Sequence, residues 1–142
     1  MSVAQILTEK GRDVVTVHQD ASIQEVAEIL GTHKVGAAVV VDKSGKICGI
    51  MSERDIVRDI AEAGGNALSK PVSSCMTKKV VSCSEDDTID GVMQLMTEGR
   101  FRHLPVVEGE KLAGIISIGD VVKRKIQQAT KDAEDLKQYI SG

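Results

Sequence analysis

A serine followed three residues later by an aspartate stands at two matching corners of this chain, Ser52 with Asp55 and Ser117 with Asp120. Each pair lies in a longer string. Gly49 to Val57 reads Gly-Ile-Met-Ser-Glu-Arg-Asp-Ile-Val, and Gly114 to Val122 reads Gly-Ile-Ile-Ser-Ile-Gly-Asp-Val-Val. In both, a short apolar run ends at the serine and an apolar-periodic segment begins by the aspartate, the pattern of a strand that turns directly into a helix. Two chemistries fit such a corner. A serine at the N-cap with an acid three residues on is a capping arrangement that stabilises a helix start. The same groups also suit a ligand, because a carboxylate accepts hydroxyl protons in charge-assisted bonds and the free N–H groups of a helix N-terminus favour a phosphate. Capping alone would account for one copy. Two copies in equivalent places point to a doubled contact site.

The elements that must hold these corners can be read on either side of them. Val3 to Lys10 is expected to be a short helix closed by Gly11, followed by an extended segment from Val14 to Val17. Ser22 and Glu25 fit a capping box, and Ile23, Val26, Ala27 and Leu30 follow at helical spacing. Ala37 to Val41 is strand-like, Asp42-Lys43-Ser44-Gly45 makes a turn, and Lys46 to Met51 returns as the second arm of a hairpin. Ile56, Val57 and Ile60 give the next helix its buried side. Ala63-Gly64-Gly65-Asn66 reads as the start of a linker running on to Pro71.

Beyond the linker the order repeats. Val80-Val81-Ser82 matches Val14-Val15-Thr16, Thr88-Ile89 matches Ser22-Ile23, and Val106-Val107 matches Val40-Val41, all at an offset of 66. After the turn at Glu108-Gly109-Glu110 the offset drops to 65, as in Gly114 against Gly49. A deletion in a turn is where a repeat best tolerates a change of length. The expected organisation is a first repeat over 1–66 with the N-terminal helix, a second over 67–128, and a helical extension over 129–142. Each copy is too small to bury its apolar face well alone, so the two are expected to pack together about a pseudo-two-fold axis. In the extension Val122, Ile126, Ala129, Ala133, Leu136 and Ile140 are spaced 4, 3, 4, 3 and 4 residues apart, a narrow helical seam expected to pack on its own domain or, as the preferred use, on a second copy.

Composition narrows the function classes. A hydrophobic fraction of 42% with 27% charged residues describes a globular chain of 142 residues. The longest apolar run, Val35 to Val41, falls far short of the roughly 20 residues that cross a bilayer, and no secretory signal is evident, so a cytoplasmic protein is expected. With 18 basic and 21 acidic residues and a net charge of −3, bulk electrostatics disfavours nucleic acid. One Phe, one Tyr and no Trp leave little for unpaired bases to stack on. Cys48, Cys75 and Cys83 form no C-x-x-C and are expected to be reduced and packed.

The repeated β-α-β-β-α order, the apolar hairpins and the doubled Gly-Ile-x-Ser-x-x-Asp corner resemble a pair of cystathionine-β-synthase (CBS) domains, a Bateman module, over about Thr8 to Ile126. The resemblance implies an α/β (α+β) fold with adenosine-containing ligands such as AMP, ADP, ATP, NAD or S-adenosylmethionine in clefts between the repeats. By that likeness Asp55 and Asp120 are the ribose-binding aspartates, and Ser52 and Ser117 add contacts to ribose or phosphate. The base is expected at Thr16-Val17 and at Ser82-Cys83, with Ala38, Met51 and Ile116 as walls. Arg54, Arg102, His103, Lys123 and Arg124 are the candidate phosphate contacts. Copy one has Arg54 where copy two has Gly119, so unequal occupancy is expected, with NAD against AMP as one instance.

The function expected on these grounds is a non-catalytic sensor of adenine nucleotides, AMP, ATP or NAD(H), acting as a homodimer on an unidentified protein target. A module that binds only proteins is the alternative. A nucleotide-using enzyme is the weaker reading, since the sequence holds no Ser-His-Asp arrangement, no metal-spaced His and Cys set and no P-loop.

Overall fold

The structure, a computed structural model, describes residues 1–141. Its elements follow the sequence in the order α1 (Val3–Lys10), β1 (Thr16–His18), α2 (Ile23–His33), β2 (Ala37–Val41), β3 (Ile47–Ser52), α3 (Glu53–Ala63), α4 (Ile89–Gly99), β4 (His103–Glu108), β5 (Lys111–Ser117) and α5 (Ile118–Ser141). Short 3-10 turns at Gly64–Ser69 and Val72–Ser74 join α3 to the second repeat. Gly142, the last residue of the expected extension, lies outside the described residues.

Two compact units result. The first is Asp13–Val81, and the second is Met1–Arg12 together with the chain from Ser82 on. In the first unit β1 pairs parallel with β2, and β2 pairs antiparallel with β3, in the order β1-β2-β3. Asp42 closes the hairpin turn by accepting the N–H groups of Ser44 and Lys46 on Oδ1, and Gly45 supplies the positive φ, +81°, that the turn requires. The second unit has the hairpin β4-β5 with the same irregularity of register, between Val106 and Val107 where the first has it between Val40 and Val41. The extended stretch expected at Val80 to Ser82 forms no strand. Pairing is confined to Cys83, whose N–H donates to Pro105 and whose carbonyl accepts from Val107, matching Val17 against Val40 in the first unit.

The helices follow their caps. Ser22 accepts from Glu25 N–H at 3.1 Å and Thr88 accepts from Gly91 N–H at 3.0 Å. The return bond expected from the Glu25 side chain to Ser22 is not formed, so this is half of a capping box. α2 and α4 bury Ile23, Val26 and Leu30, and Ile89, Val92 and Met96, respectively.

The structure corrects the expected domain boundary. The N-terminal segment, expected with the first repeat, belongs to the second unit: Val3 N–H donates to Asp87 carbonyl, Ala4 N–H to Glu85 carbonyl, and Ile89 N–H to Met1 carbonyl. The segment that precedes the second repeat does the same in the first unit, where Val72 N–H donates to Ala21, Ser73 N–H to Gln19, and Ile23 N–H to Lys70 carbonyl. Each unit is thus one repeat plus the leader that precedes the other repeat in sequence. Aligned this way, Val3, Leu7, Thr8 and Lys10 correspond to Val72, Met76, Thr77 and Lys79. The expected linker is therefore no loose connection, because Ala67 and Val72 are fully buried.

What seats each leader is a missing β-carbon. A Cβ on Gly114 would lie 2.7 Å from Leu7 Cδ2, and one on Gly49 would lie 2.8 Å from Met76 Cγ and 3.1 Å from the Thr77 carbonyl. Leu7 is fully buried. Leu7→Ala is expected to cost about 2–5 kcal/mol in urea unfolding, the range for truncating a core leucine. Val57→Ala, at a side chain 67% exposed, is expected to change stability by less than about 0.5 kcal/mol in the same measurement.

Candidate ligand-binding corners

Both corners are formed as read. β3 runs into α3 at Ser52, and β5 runs into α5 at Ser117, so each serine closes a strand and caps a helix. Ser52 Oγ accepts from Asp55 N–H at 3.2 Å, while Asp55 Oδ2 accepts from the Ser52 N–H and hydroxyl, both at 3.0 Å. Ser117 Oγ accepts from Asp120 N–H at 3.2 Å, and Asp120 Oδ2 accepts from Ser117 N–H at 2.8 Å. The capping chemistry is therefore real in both copies. It also fixes where each carboxylate sits, at a helix N-terminus whose dipole favours negative charge.

The remaining lone pairs are used differently. Asp55 is 7% exposed and its Oδ1 takes Arg58 at 2.5 Å, a pair within α3 whose arginine is 58% exposed. Asp120 instead takes a cation from another element: Lys10, at the end of α1, donates to its Oδ2 at 2.7 Å and to the Ile115 carbonyl at 3.0 Å. Burial alone would raise the Asp120 carboxyl, but the Lys10 hydrogen bond and charge, with the Ser117 bonds, outweigh it and hold the group below the ordinary carboxylate value. Glu9 completes the cluster, accepting from Arg124 at 2.8 Å with Lys123 at 3.9 Å. A pocket of about 210 Å³ opens among Ile6, Glu9, Lys10, Asp120, Lys123, Arg124 and Gln127. Arg124 Nε is buried there without a hydrogen-bond partner among the described residues.

Lys10, Glu9 and Arg58 are the polar residues that reading the sequence missed. The Ile115 carbonyl shows why Lys10 escaped notice. Its counterpart, Ile50, exchanges two backbone hydrogen bonds with Thr77, because that leader is extended there. In the second unit the leader is helical, so a lysine side chain satisfies the equivalent carbonyl. The signal available in the sequence was the leader repeat itself, Val-x-x-x-Leu-Thr against Val-x-x-x-Met-Thr, at an offset of 69 rather than 66.

The other expected contacts divide by burial. Arg54 is exposed on the first turn of α3, with no hydrogen bond or ion pair among the described residues. Arg102 is exposed before β4, and its carbonyl accepts from Ile118 N–H at the start of α5. His103 is partly buried opposite Ser117 in the β4-β5 register. Lys123 and Arg124 face Glu9. Thr16 is exposed and Val17 buried on β1, an edge strand of its sheet. Ser82 is exposed, whereas both backbone groups of Cys83 are engaged with the β4 strand. Ala38, Met51 and Ile116 are fully buried and present no surface to a ligand, since they face the apolar interior from β2, β3 and β5. A second pocket, about 480 Å³, lies between α2 and the start of α3, but Ser52 and Asp55 do not line it.

The family model for the CBS domain matches twice, over residues 3–62 and 72–126. Many solved structures share the architecture, and three of them illustrate it. A CBS-domain containing protein from Agrobacterium tumefaciens is 53% identical, with a TM-score of 0.85 over 87% of this chain and 92% of that one. The CBS domain pair of protein MJ0100, solved with 5′-methylthioadenosine and S-adenosyl-L-methionine, is 28% identical, with a TM-score of 0.80 over 90% of this chain and 98% of that one. A CBS domain protein from Pyrobaculum aerophilum, complexed with AMP, is 27% identical, with a TM-score of 0.76 over 84% and 89%. Among the described residues no helix is long and apolar enough to cross a membrane.

Two outcomes follow from the ionisable groups. A carboxyl held low in the folded state stabilises above its ordinary value of 3.8, and that contribution is lost as pH falls through the folded value. Lys10→Met is therefore expected to lower stability at pH 7, by about 1 kcal/mol or less for so partly exposed a pair, and to cost less near pH 2, where protonation of Asp120 weakens the pair and the bond to the Ile115 carbonyl remains, as read by urea unfolding at the two pH values. Burial, with Asp87 nearby, pushes the Cys83 thiol up to about 12. Iodoacetamide at pH 8 is expected to label Cys83 only in urea, and labelling at the native rate of Cys48 or Cys75 would contradict its burial.

Proposed function

The chain belongs to the CBS-domain family, as a tandem pair, and on that premise we propose that it is a regulatory module that binds an adenosine nucleotide at its two Ser-x-x-Asp corners. The observation that carries the reading is the doubled corner: two aspartates, each locked by a capping serine at the end of a strand and the start of a helix. A carboxylate so fixed can accept the two cis hydroxyls of a ribose. The AMP in one structural relative and the methylthioadenosine and S-adenosyl-L-methionine in another share that ribose.

Phosphate recognition differs between the corners on this reading. At the first, the dipole end of α3 and the exposed Arg54 meet the phosphate, and Arg58, whose own side chain is exposed, swings away from the buried Asp55. At the second, Gly119 offers no charge, and Lys123 and Arg124 supply it, with His103 and Arg102 at the strand entrance. AMP, ATP and NAD(H) are the candidate ligands, and Thr16 and Ser82 are the exposed residues beside which a base would lie. The module works without catalysis, passing occupancy to a protein target. The apolar seam of α5, with Ile126 at 60%, Leu136 at 60% and Ile140 at 75% exposure, supports a homodimer or a partner helix as the route.

Calorimetric titration with AMP, ATP, NAD, NADH and S-adenosylmethionine tests the reading. At least one is expected to bind, and Asp55→Ala and Asp120→Ala are each expected to weaken binding at one corner by tenfold or more. Undiminished binding in both variants would sink the ribose assignment, and no heat with any nucleotide would leave a module that binds proteins alone.

A further inference from the structure

The second corner is held by a residue that its counterpart does not use. Lys79, the equivalent of Lys10 in the other leader, is exposed and makes no hydrogen bond among the described residues, because that leader is extended and satisfies Ile50 with its backbone. The helical leader instead delivers the Lys10 ammonium onto both Ile115 and Asp120.

We propose that Lys10 competes with the ribose of the ligand for Asp120, so that the leader helix α1 holds the second corner closed and a bound ligand releases it; this rests on the ribose reading of Asp120. Lone pairs decide the matter. Asp120 Oδ2 already accepts from Lys10 and from Ser117 N–H, while Oδ1 takes no hydrogen bond among the described residues. A cis-diol offers two hydroxyl protons and uses both carboxylate oxygens. One hydroxyl finds Oδ1 open, and the second meets the oxygen that Lys10 holds.

Displacing Lys10 is a larger event than displacing Arg58. Arg58 belongs to the same helix as Asp55 and is 58% exposed, so it leaves without moving another element. Lys10 is 34% exposed, is bound twice, and sits beside Glu9, which is tied to Arg124 and Lys123. Freeing its ammonium therefore loosens the end of α1. Such coupling is reciprocal: a docked α1 weakens the ligand, and the ligand weakens α1 docking by the same factor. The two corners thus differ in kind, the first opened by a side-chain swing and the second by release of a leader.

The test uses the full chain, titrated calorimetrically with AMP and with adenosine as wild type, Lys10→Met, Lys10→Gln and the double variant Lys10→Met/Asp120→Asn. Glutamine keeps a donor for the Ile115 carbonyl but carries no charge for Asp120. Both single variants are expected to tighten one class of site at least fivefold, for AMP and adenosine alike, and the double variant to lose that gain. Saturation of the wild type with AMP is expected to speed amide hydrogen exchange at Glu9 to Gly11. Binding that is unchanged in the variants, or weakened for AMP alone as a phosphate contact would require, overturns the competition and leaves the ribose reading standing. Exchange that is unchanged or slowed by AMP overturns it as well. Absence of binding by AMP and adenosine in every variant overturns both.

Discussion

Everything in each unit is arranged around a place where a β-carbon cannot be. Gly49 and Gly114 sit in the middle of β3 and β5, where glycine ordinarily weakens a strand, and in each case an apolar side chain from a leader fills the space. The strand that bears the glycine is the strand that ends in the capping serine. The leader therefore braces the corner from behind, three residues before Ser52 or Ser117. A substituted glycine would disturb the seating of the leader and the position of the carboxylate together.

The corners also show that capping and ligand contact do not exclude each other. A reciprocal serine–aspartate cap consumes one carboxylate oxygen and the backbone groups beside it, and leaves the other oxygen to be assigned. In the first unit that oxygen goes to a surface arginine; in the second it is left open, and the capped oxygen also receives a lysine. The chemistry of a site built this way is set less by its repeated serine–aspartate pair than by whichever cation approaches it. Here the cations come from unrelated positions in the two repeats.

Much of this was legible in the sequence because it is local. The capped helices, the hairpins with their turns at Asp42 and Gly109, the strand-to-helix corners and the long α5 all follow from spacing and turn chemistry within a few residues. The exchange of leaders was not legible, because no local rule says which repeat an eight-residue helix will bury Leu7 against. Lys10 was hidden for the same reason, since its partner lies 110 positions away. Ala38, Met51 and Ile116 were expected to border a ligand by the likeness to the family. Strand alternation points Met51 and Ile116 inward, Ala38 lies on a strand buried on both faces, and all three are wholly buried.

α5 turns the second corner into one end of a lever. Its 24 residues span about 36 Å, with Asp120 in the first turn and Ile140 near the far end. Lys125 is paired with Asp90 and Arg124 with Glu9, and from Ala129 onward every described residue is exposed. A rod held only at its base magnifies what happens there. A tilt of about 10° at the capped turn would carry Ile140 sideways by about 5 Å, close to the rise of one helical turn.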